Sequence, residues 1–249
     1  MKTRVFAFIA LLAMVALSCG LPSVGNITNS VANSVANSVA NTVANTVANT
    51  VTNNVSVPSQ GSGSVLFQDD FSDTGSGWES VSDSSGVTDY YNGAYRIEVL
   101  ESGLSIWANP SKSFPADVSV EVDATKNGGP DDNAFGVICR YQDTDNFYRF
   151  YATSDGYIGI VKRSGGNATV ISSPDGKLQQ SDLVQQGATT NHIKGTCIGD
   201  TLTLYVNGSQ AATATDSTFS GGGDVGLIAQ SFSTGGVDVL FHNFLVTAP

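Results

Sequence analysis

The chain has 249 residues, and its 22 Asp and Glu against 11 Lys and Arg give a formal net charge of −11. Phosphate recognition depends on clustered Lys and Arg, so this acidity excludes nucleic acid as an expected partner and favours solubility outside the cell. Roughly the first quarter of the chain is too repetitive and too poor in large apolar side chains to build a core, so we expect one folded domain.

The chain begins with a leader, residues 1–18. Lys2 and Arg4 precede an apolar run over residues 5–17, which is too short to span a membrane and is typical of a secretory signal. The residues before Cys19 are small, and this segment resembles a bacterial lipobox, in which the cysteine is acylated after cleavage. The resemblance implies an exported lipoprotein, anchored by lipid at Cys19 to the bacterial cell envelope with its domain facing outward. An unmodified Cys19 is the alternative.

A tetrapeptide repeat, first NSVA and then NTVA, dominates residues 19–64, and there is no charged residue between Gly20 and Gln68. In a helix, a four-residue period drifts about 40° per repeat around the axis, and in a strand it leaves no purely apolar face. The pattern therefore specifies neither element. We expect an extended or weakly helical linker, with a β-solenoid or a partner-binding segment as alternatives.

From residue 65 to residue 249 the sequence alternates short apolar and polar strands with turn residues about every ten positions, which is typical of an all-β sandwich. Ten segments fit a strand: VLFQDDF, YRIEVL, VSVEVDA, FGVICRYQ, NFYRFYAT, YIGIVKR, HIKGTCIG, TLTLYVNG, DVGLIAQ and VLFHNFLV. Turn residues such as NGGPDDN, DTDN and SGGGD separate them. The sequence predicts one β-sandwich over 65–249.

Several of these phrases, among them DDFSDTGSGW, FGVICRYQDTDNFYRF, GDTLTLYVNG and the closing VLFHNFLV, resemble the concanavalin A-like lectin and glucanase superfamily. The likeness is to laminin G-like jelly rolls and to 3-keto-disaccharide hydrolase domains. It implies a concanavalin A-like jelly roll. Because this scaffold serves lectins, hydrolases and adhesion modules alike, the resemblance does not choose among them.

The strand at Glu121 bears on the enzyme alternative. Sugar hydrolases of this superfamily carry Glu-x-Asp-x-x-Glu, which points three carboxylates into a cleft. Glu121 and Asp123 match the first two positions, but Lys126 stands at the third. Alternation is expected to turn both carboxylates to solvent. We therefore predict no catalytic residue, and keep sugar cleavage as the alternative.

Metal binding is a further alternative. Two loops offer clustered oxygen ligands of the kind that calcium binds: Asp131, Asp132, Asp143 and Asp145. Such residues are also ordinary turn formers. His192 and His242 show no zinc-like spacing with cysteine. We predict no metal and no cofactor, with calcium left open.

Strand parity indicates a binding face. In three strands the positions opposite the core hold flat aromatic and guanidinium groups, which stack on sugar rings and grip hydroxyl or carboxylate groups. The predicted ligand-binding residues are Arg140, Arg149, Tyr151 and Tyr205. Salt bridges to nearby aspartates are the alternative for the arginines. Trp78 and Trp107 are further candidate platforms, although a tryptophan in a sandwich often packs under a loop.

If Cys19 carries lipid, Cys139 and Cys197 remain as a pair, and an oxidising compartment favours a disulfide between them over two reduced thiols. Taken together, the sequence predicts a surface-anchored, non-catalytic module that binds a glycan or another extracellular polymer. The alternatives are a sugar-cleaving enzyme of the 3-keto-disaccharide hydrolase type and a structural or adhesion protein of the envelope with a protein partner.

Overall fold

The structure is a computed structural model that describes residues 63–249. These residues belong to one compact unit, Gln60–Pro249. The predicted signal peptide 1–18, the lipidation at Cys19 and nearly all of the predicted linker 19–64 lie outside the described residues and stay predictions. Within residues 63–249, no helix is long and apolar enough to cross a membrane.

The described residues form sixteen β-strands. In chain order they are β1 Val65–Asp69, β2 Val81–Ser82, β3 Gly86–Tyr91, β4 Ala94–Val99, β5 Ser105–Ala108, β6 Val118–Gly128, β7 Asn133–Asp143, β8 Asn146–Ala152, β9 Tyr157–Ser164, β10 Asn167–Val170, β11 Gln179–Gln180, β12 Thr190–Ile198, β13 Thr201–Val206, β14 Ser209–Thr215, β15 Asp224–Ser231 and β16 Val237–Thr247. All ten segments predicted as strands form strands.

These strands make two antiparallel sheets. The nine-stranded sheet has the order β14-β13-β12-β6-β16-β4-β3-β2, and β1 pairs with β16 beyond the β4 ladder. The seven-stranded sheet has the order β10-β9-β8-β7-β15-β5, and β11 pairs with β9. Many neighbours in each sheet are distant in sequence, as long sandwich connections require. The predicted all-β jelly-roll sandwich is confirmed.

One apolar core lies between the sheets. On β6, Val120 and Val122 are fully buried in it, while Glu121 between them takes the opposite face, as the alternation predicted. The sheets approach closely where Gly195 of β12 faces Phe150 of β8. A Cβ atom at Gly195 would lie 2.5 Å from the Phe150 ring, so glycine is required for this approach.

A disulfide between Cys139 of β7 and Cys197 of β12 joins the two sheets through the core. The predicted pairing is confirmed. The two cysteines are 58 residues apart in sequence, and closing a loop of that length in the unfolded chain is expected to stabilise the fold by about 3 to 4 kcal/mol.

Trp78 anchors the first long loop of the domain. It is 5% exposed and packs against Phe71, Tyr95 and Phe244. Its indole Nε1 donates a hydrogen bond to Asp69 at 3.0 Å. The one polar atom of the buried side chain is therefore hydrogen-bonded. Trp78 is therefore part of the core, and it offers no platform for a ligand.

Candidate functional site

The outer face of the seven-stranded sheet, turned away from the core, carries a second apolar layer. In a sandwich this face is usually polar, because it meets water. Here it buries six residues: Ala134, Ile138, Phe147, Tyr151, Val161 and Ile228. Half-buried Trp107, Tyr141, Val170, Leu178 and Phe232 pack around them. An apolar face that is only partly covered marks a candidate binding surface.

A pocket of about 270 Å³ opens on this face. We call it the Arg149 pocket, after the side chain at its floor. Its floor is polar and its walls are mainly apolar, the combination typical of small-ligand sites. The floor is formed by Arg149, Tyr151 and Gln230, and the walls include Val170, Leu178 and Phe232.

Glycines make room for Tyr151 on the sheet. In the strand register it has Gly136 of β7 on one side and Gly159 of β9 on the other, so neither directly paired residue places a side chain beside its ring. Gly159 also allows Leu178 of the pocket wall to approach the sheet closely, because a Cβ atom there would lie 2.4 Å from Leu178 Cδ2. The sequence therefore builds this part of the pocket by leaving side chains out.

Arg149 is 2% exposed and lies between Ile138 of β7 and Val161 of β9 in the register of the sheet. Its Nη1 donates to the Tyr151 hydroxyl at 2.9 Å, and that hydroxyl donates to Gln230 Oε1 at 2.9 Å. Burial raises the pKa of Tyr151, so the hydroxyl remains a donor at neutral pH.

The other two guanidinium nitrogens of Arg149, Nε and Nη2, are buried and have no hydrogen-bond partner among the described residues. The guanidinium carbon lies 5.1 Å from the centroid of the Phe147 ring, a cation–π contact. That contact compensates only part of the lost hydration of a buried charge, since buried polar groups are nearly always hydrogen-bonded.

Trp107 extends the aromatic surface beyond the pocket. Its ring lies 5.3 Å from the Phe147 ring, centroid to centroid, and the Arg163 guanidinium lies 5.8 Å from the centroid of Trp107. Trp107 is half-buried. Of the two tryptophans considered as platforms, Trp107 is the one on the candidate binding face.

Arg140 was predicted to face outward, and that orientation is wrong. The register of β7 with β8 breaks between Cys139 and Asp143, and Arg140 adopts a positive φ of 51°. This bulge shifts the alternation by one position, so Tyr141 turns to the outer face and Arg140 is buried, 2% exposed. The guanidinium donates to three carbonyl oxygens, those of Ala116 at 2.9 Å, Phe219 at 2.8 Å and Gly199 at 2.7 Å.

Tyr205 is partly exposed, as predicted, but it lies on β13 of the nine-stranded sheet, where it faces Lys194 of β12 and Gln210 of β14. Arg149 and Tyr151 are in direct contact on the seven-stranded sheet. The structure therefore brings together two of the four predicted ligand-binding residues and places the other two elsewhere.

Glu121 and Asp123 lie on the outer face of the nine-stranded sheet in an ionic cluster. His192 Nδ1 is 2.8 Å from Asp123 Oδ1, and Lys194 Nζ is 3.3 Å from Glu121 Oε2. Burial alone would raise the pKa of Glu121, but hydrogen bonds and charge from His192 and Lys194 bring it below the usual value. The hydrogen bond from His192 also lowers the pKa of Asp123. Both groups stay ionised, and neither is suited to act as a general acid.

The acidic loops considered for calcium are engaged locally. Asp131 pairs with Lys126, Asp132 accepts from Ser233, and Asp145 pairs with Arg163. In residues 63–249, no group of three His, Cys, Asp or Glu is arranged to hold a metal ion.

A second pocket, of about 530 Å³, is lined by Asp69, Asp70 and Asp73 at the end of β1. Each of these carboxylates accepts a hydrogen bond from a backbone amide two residues ahead. The Ser72 hydroxyl and amide lower the pKa of Asp70. These carboxylates are accounted for by the turns they stabilise.

Sequence reasoning missed the pocket residues outside β8. Gln230 is detectable in principle, because alternation along DVGLIAQS places Ile228 and Gln230 on the face opposite Leu227 and Ala229. The wall that holds Leu178 follows the short strand β10, in a stretch, SSPDGK, whose residues indicate only turns. No local signal reveals which sheet that stretch covers.

The comparisons with known proteins identify a fold and no family. No protein-family profile matches the chain, and no curated protein matches it by sequence. Among solved structures, the carbohydrate-binding module CBM66 from Bacillus subtilis is 21% identical with a TM-score of 0.55, over 70% of this chain and 96% of that one.

Two further structures have only slightly lower TM-scores. A Bacillus subtilis protein of unknown function with a galectin-like fold is 11% identical, with a TM-score of 0.53, over 75% of this chain and 96% of that one. A Bacillus licheniformis β-glucanase is 9% identical, with a TM-score of 0.53, over 76% of this chain and 100% of that one. At these identities the likeness shows a shared jelly-roll fold, in agreement with the predicted concanavalin A-like sandwich.

Proposed function

We propose that this protein is a non-catalytic glycan-binding module and that the Arg149 pocket is its binding site. One observation carries the proposal: a polar floor of Arg149, Tyr151 and Gln230 lies beneath apolar walls on the outer face of a sheet. Apolar walls pack against the C–H faces of a sugar ring, while the floor offers donors to its oxygens.

The similar structures support a glycan as the ligand. Two of the three described above carry the names of a carbohydrate-binding module and of a β-glucanase. Fold alone does not determine function, so this support adds to the pocket and does not replace it.

A binding role is favoured over hydrolysis by the composition of the pocket. Glycosidases need a pair of carboxyl groups across the scissile bond. Among residues 63–249, no Asp or Glu lines the Arg149 pocket. Glu121 and Asp123, the pair singled out by the hydrolase resemblance, lie on the other sheet in ion pairs.

The site is tested by measuring the affinity of the purified protein for a panel of immobilised polysaccharides and mucin glycans. Phe232→Ala removes a wall and is expected to weaken binding about threefold to tenfold, since aromatic contacts contribute about 0.5 to 1.5 kcal/mol. Tyr91→Ala, an exposed aromatic on the nine-stranded sheet, is the matched control and should bind normally. Release of sugar from any member of the panel would favour the enzyme, and binding to a protein but to no glycan would favour an adhesion role.

We also propose export and lipid anchoring through Cys19, with residues 19–64 as a spacer between the membrane and the domain. The basic and apolar leader and the small residues before Cys19 support this part of the proposal. Mass spectrometry of the mature N-terminus tests it. A diacylglyceryl-modified Cys19 is expected, and an unmodified cysteine would overturn the anchor without affecting the glycan site.

A further inference from the structure

The buried guanidinium in the pocket points to a particular kind of glycan. Arg149 is 2% exposed, yet Nε and Nη2 have no acceptor among the described residues. Of its three nitrogens, Nη1 alone has partners, the Tyr151 hydroxyl at 2.9 Å and the Ser105 hydroxyl at 3.5 Å. Removing guanidinium N–H groups from water without replacing their hydrogen bonds is unfavourable. Fold stability alone therefore does not explain the side chain.

The pocket also lacks a counter-charge. No Asp or Glu lines it, although acidic residues outnumber basic ones by 22 to 11 in the chain. Within residues 63–249, Arg96, Arg140 and Arg163 each lie within 4 Å of a carboxylate, and Arg149 does not. An acidic chain has thus kept carboxylates away from this one arginine.

The two unpaired nitrogens have the geometry that a carboxylate requires. In a guanidinium, Nε and Nη2 lie on the same edge of the plane and direct parallel N–H bonds outward, which matches the two oxygens of a carboxylate. The third nitrogen, Nη1, is fixed by Tyr151, and Tyr151 is fixed by Gln230. The edge that remains is therefore pre-oriented.

We propose that the Arg149 pocket recognises a carboxylate-bearing sugar, with the carboxylate paired side-on to Nε and Nη2 of Arg149. This inference rests on the proposed function, because it specifies the glycan bound at the same site. The volume of about 270 Å³ is slightly below the usual range for ligand sites and suits one sugar residue, not a long oligosaccharide. Because Nε and Nη2 are buried, the proposal requires side chains of the wall to rotate when the ligand binds, a change that is common at binding sites.

The test compares ligands that differ in the carboxylate alone. Oligogalacturonate is paired with its methyl ester, and sialyllactose with its methyl ester, by calorimetry on the purified protein. The two pairs distinguish a hexuronate from a sialic acid as the source of the carboxylate. At least one acidic ligand is expected to bind more than tenfold more tightly than its neutral partner, and this preference should persist at high salt, because buried pairs are weakly screened.

Variants assign the preference to Arg149. Arg149→Met should abolish it. Arg149→Lys keeps the charge but loses the two-pronged edge, and should weaken acidic binding at least about tenfold. Arg96→Met, an arginine paired with Asp89 at 2.8 Å on the other sheet, is the matched control and should bind as the wild type does.

Three results would contradict the proposal that Arg149 recognises a carboxylate. If neutral sugars and esters bind as tightly as the acids, the glycan-binding function stands and the carboxylate inference fails. If no sugar on the panel binds, both fail. A preference for acidic ligands that survives in Arg149→Met, with the variant folded by circular dichroism, would also contradict the assignment.

Discussion

Two arginines of the seven-stranded sheet are equally buried but differ in how many hydrogen bonds their guanidinium groups make. Arg140 and Arg149 are each 2% exposed. Arg140 donates to three backbone carbonyl oxygens and lies 3.4 Å from Asp117. Arg149 donates to a tyrosine hydroxyl and leaves an edge without acceptors among the described residues.

The difference separates the structural role of Arg140 from the binding role proposed for Arg149. Arg140 ties β7 to three loops whose carbonyl groups would otherwise be short of donors, so its burial stabilises the fold. Arg149 gains little from the fold in return for losing its hydration. A residue kept at a net cost to stability is expected where function requires it.

The largest expected effect is on Arg140. Arg140→Met leaves three carbonyl groups without their hydrogen-bond donor and is expected to lower the free energy of unfolding by about 3 to 5 kcal/mol. Denaturant unfolding followed by fluorescence measures it. Arg140→Lys should recover less than half of the loss, because one ammonium group does not reach all three oxygens. A loss below about 1 kcal/mol in Arg140→Met would contradict the structural role of Arg140.

His192, which like Arg140 lies beside carboxylates, is expected to make a smaller contribution to the free energy of unfolding. The hydrogen bonds that the imidazolium donates to Asp123 and then to Glu121 raise its pKa to about 9, and Lys194 and His242 are the other charged or titratable groups facing these carboxylates. Because the folded pKa exceeds the unfolded value of about 6.5, the stabilisation is complete below about pH 6.5 and is lost as pH rises through about 9.

The side chain of His192 is 32% exposed, so screening by solvent reduces this contribution to about 1 kcal/mol. Denaturation midpoints at pH 6 and pH 10 measure it, and His192→Gln is the control. The difference between wild type and variant should shrink at pH 10. A difference independent of pH would show that the histidine does not act through its charge.

The smallest expected effect on stability is at Arg149. Arg149→Met keeps the apolar stem and removes the unpaired charge, so the free energy of unfolding should change by less than about 1 kcal/mol in either direction. The same denaturant titration measures it beside Arg140→Met. A loss above about 2 kcal/mol would place Arg149 with Arg140 as a structural residue and break the comparison.

The two arginines also show how far sequence reasoning reaches. The outward turn of Arg149 and Tyr151 follows from the two-residue period of β8, which is unbroken. The same reasoning is wrong for Arg140, because one bulge residue with positive φ inverts the faces of β7 from that point on. Tyr205 is outward on its own strand, but the sheet that β13 joins depends on long-range pairing, which alternation does not encode.

Three of the six strands that the sequence did not predict lack a clear alternation of apolar and polar residues. β2 and β11 have two residues each, too few for a period. β14, with the sequence SQAATAT, is an exposed edge whose small side chains give little contrast between its faces. The pocket wall between β10 and β11 is therefore the least predictable part of the site, while its floor on β8 is the most predictable.

That division has a consequence for altering specificity. Gly136 and Gly159 hold Tyr151 on central strands that the core fixes, whereas residues 171–178 connect two short strands at the margin of the sheet. Libraries that vary residues 171–178 would change the shape of the pocket wall. The proposed recognition of a carboxylate by Arg149 would be left intact. Exchange of this loop would then adapt the same domain to different acidic sugars.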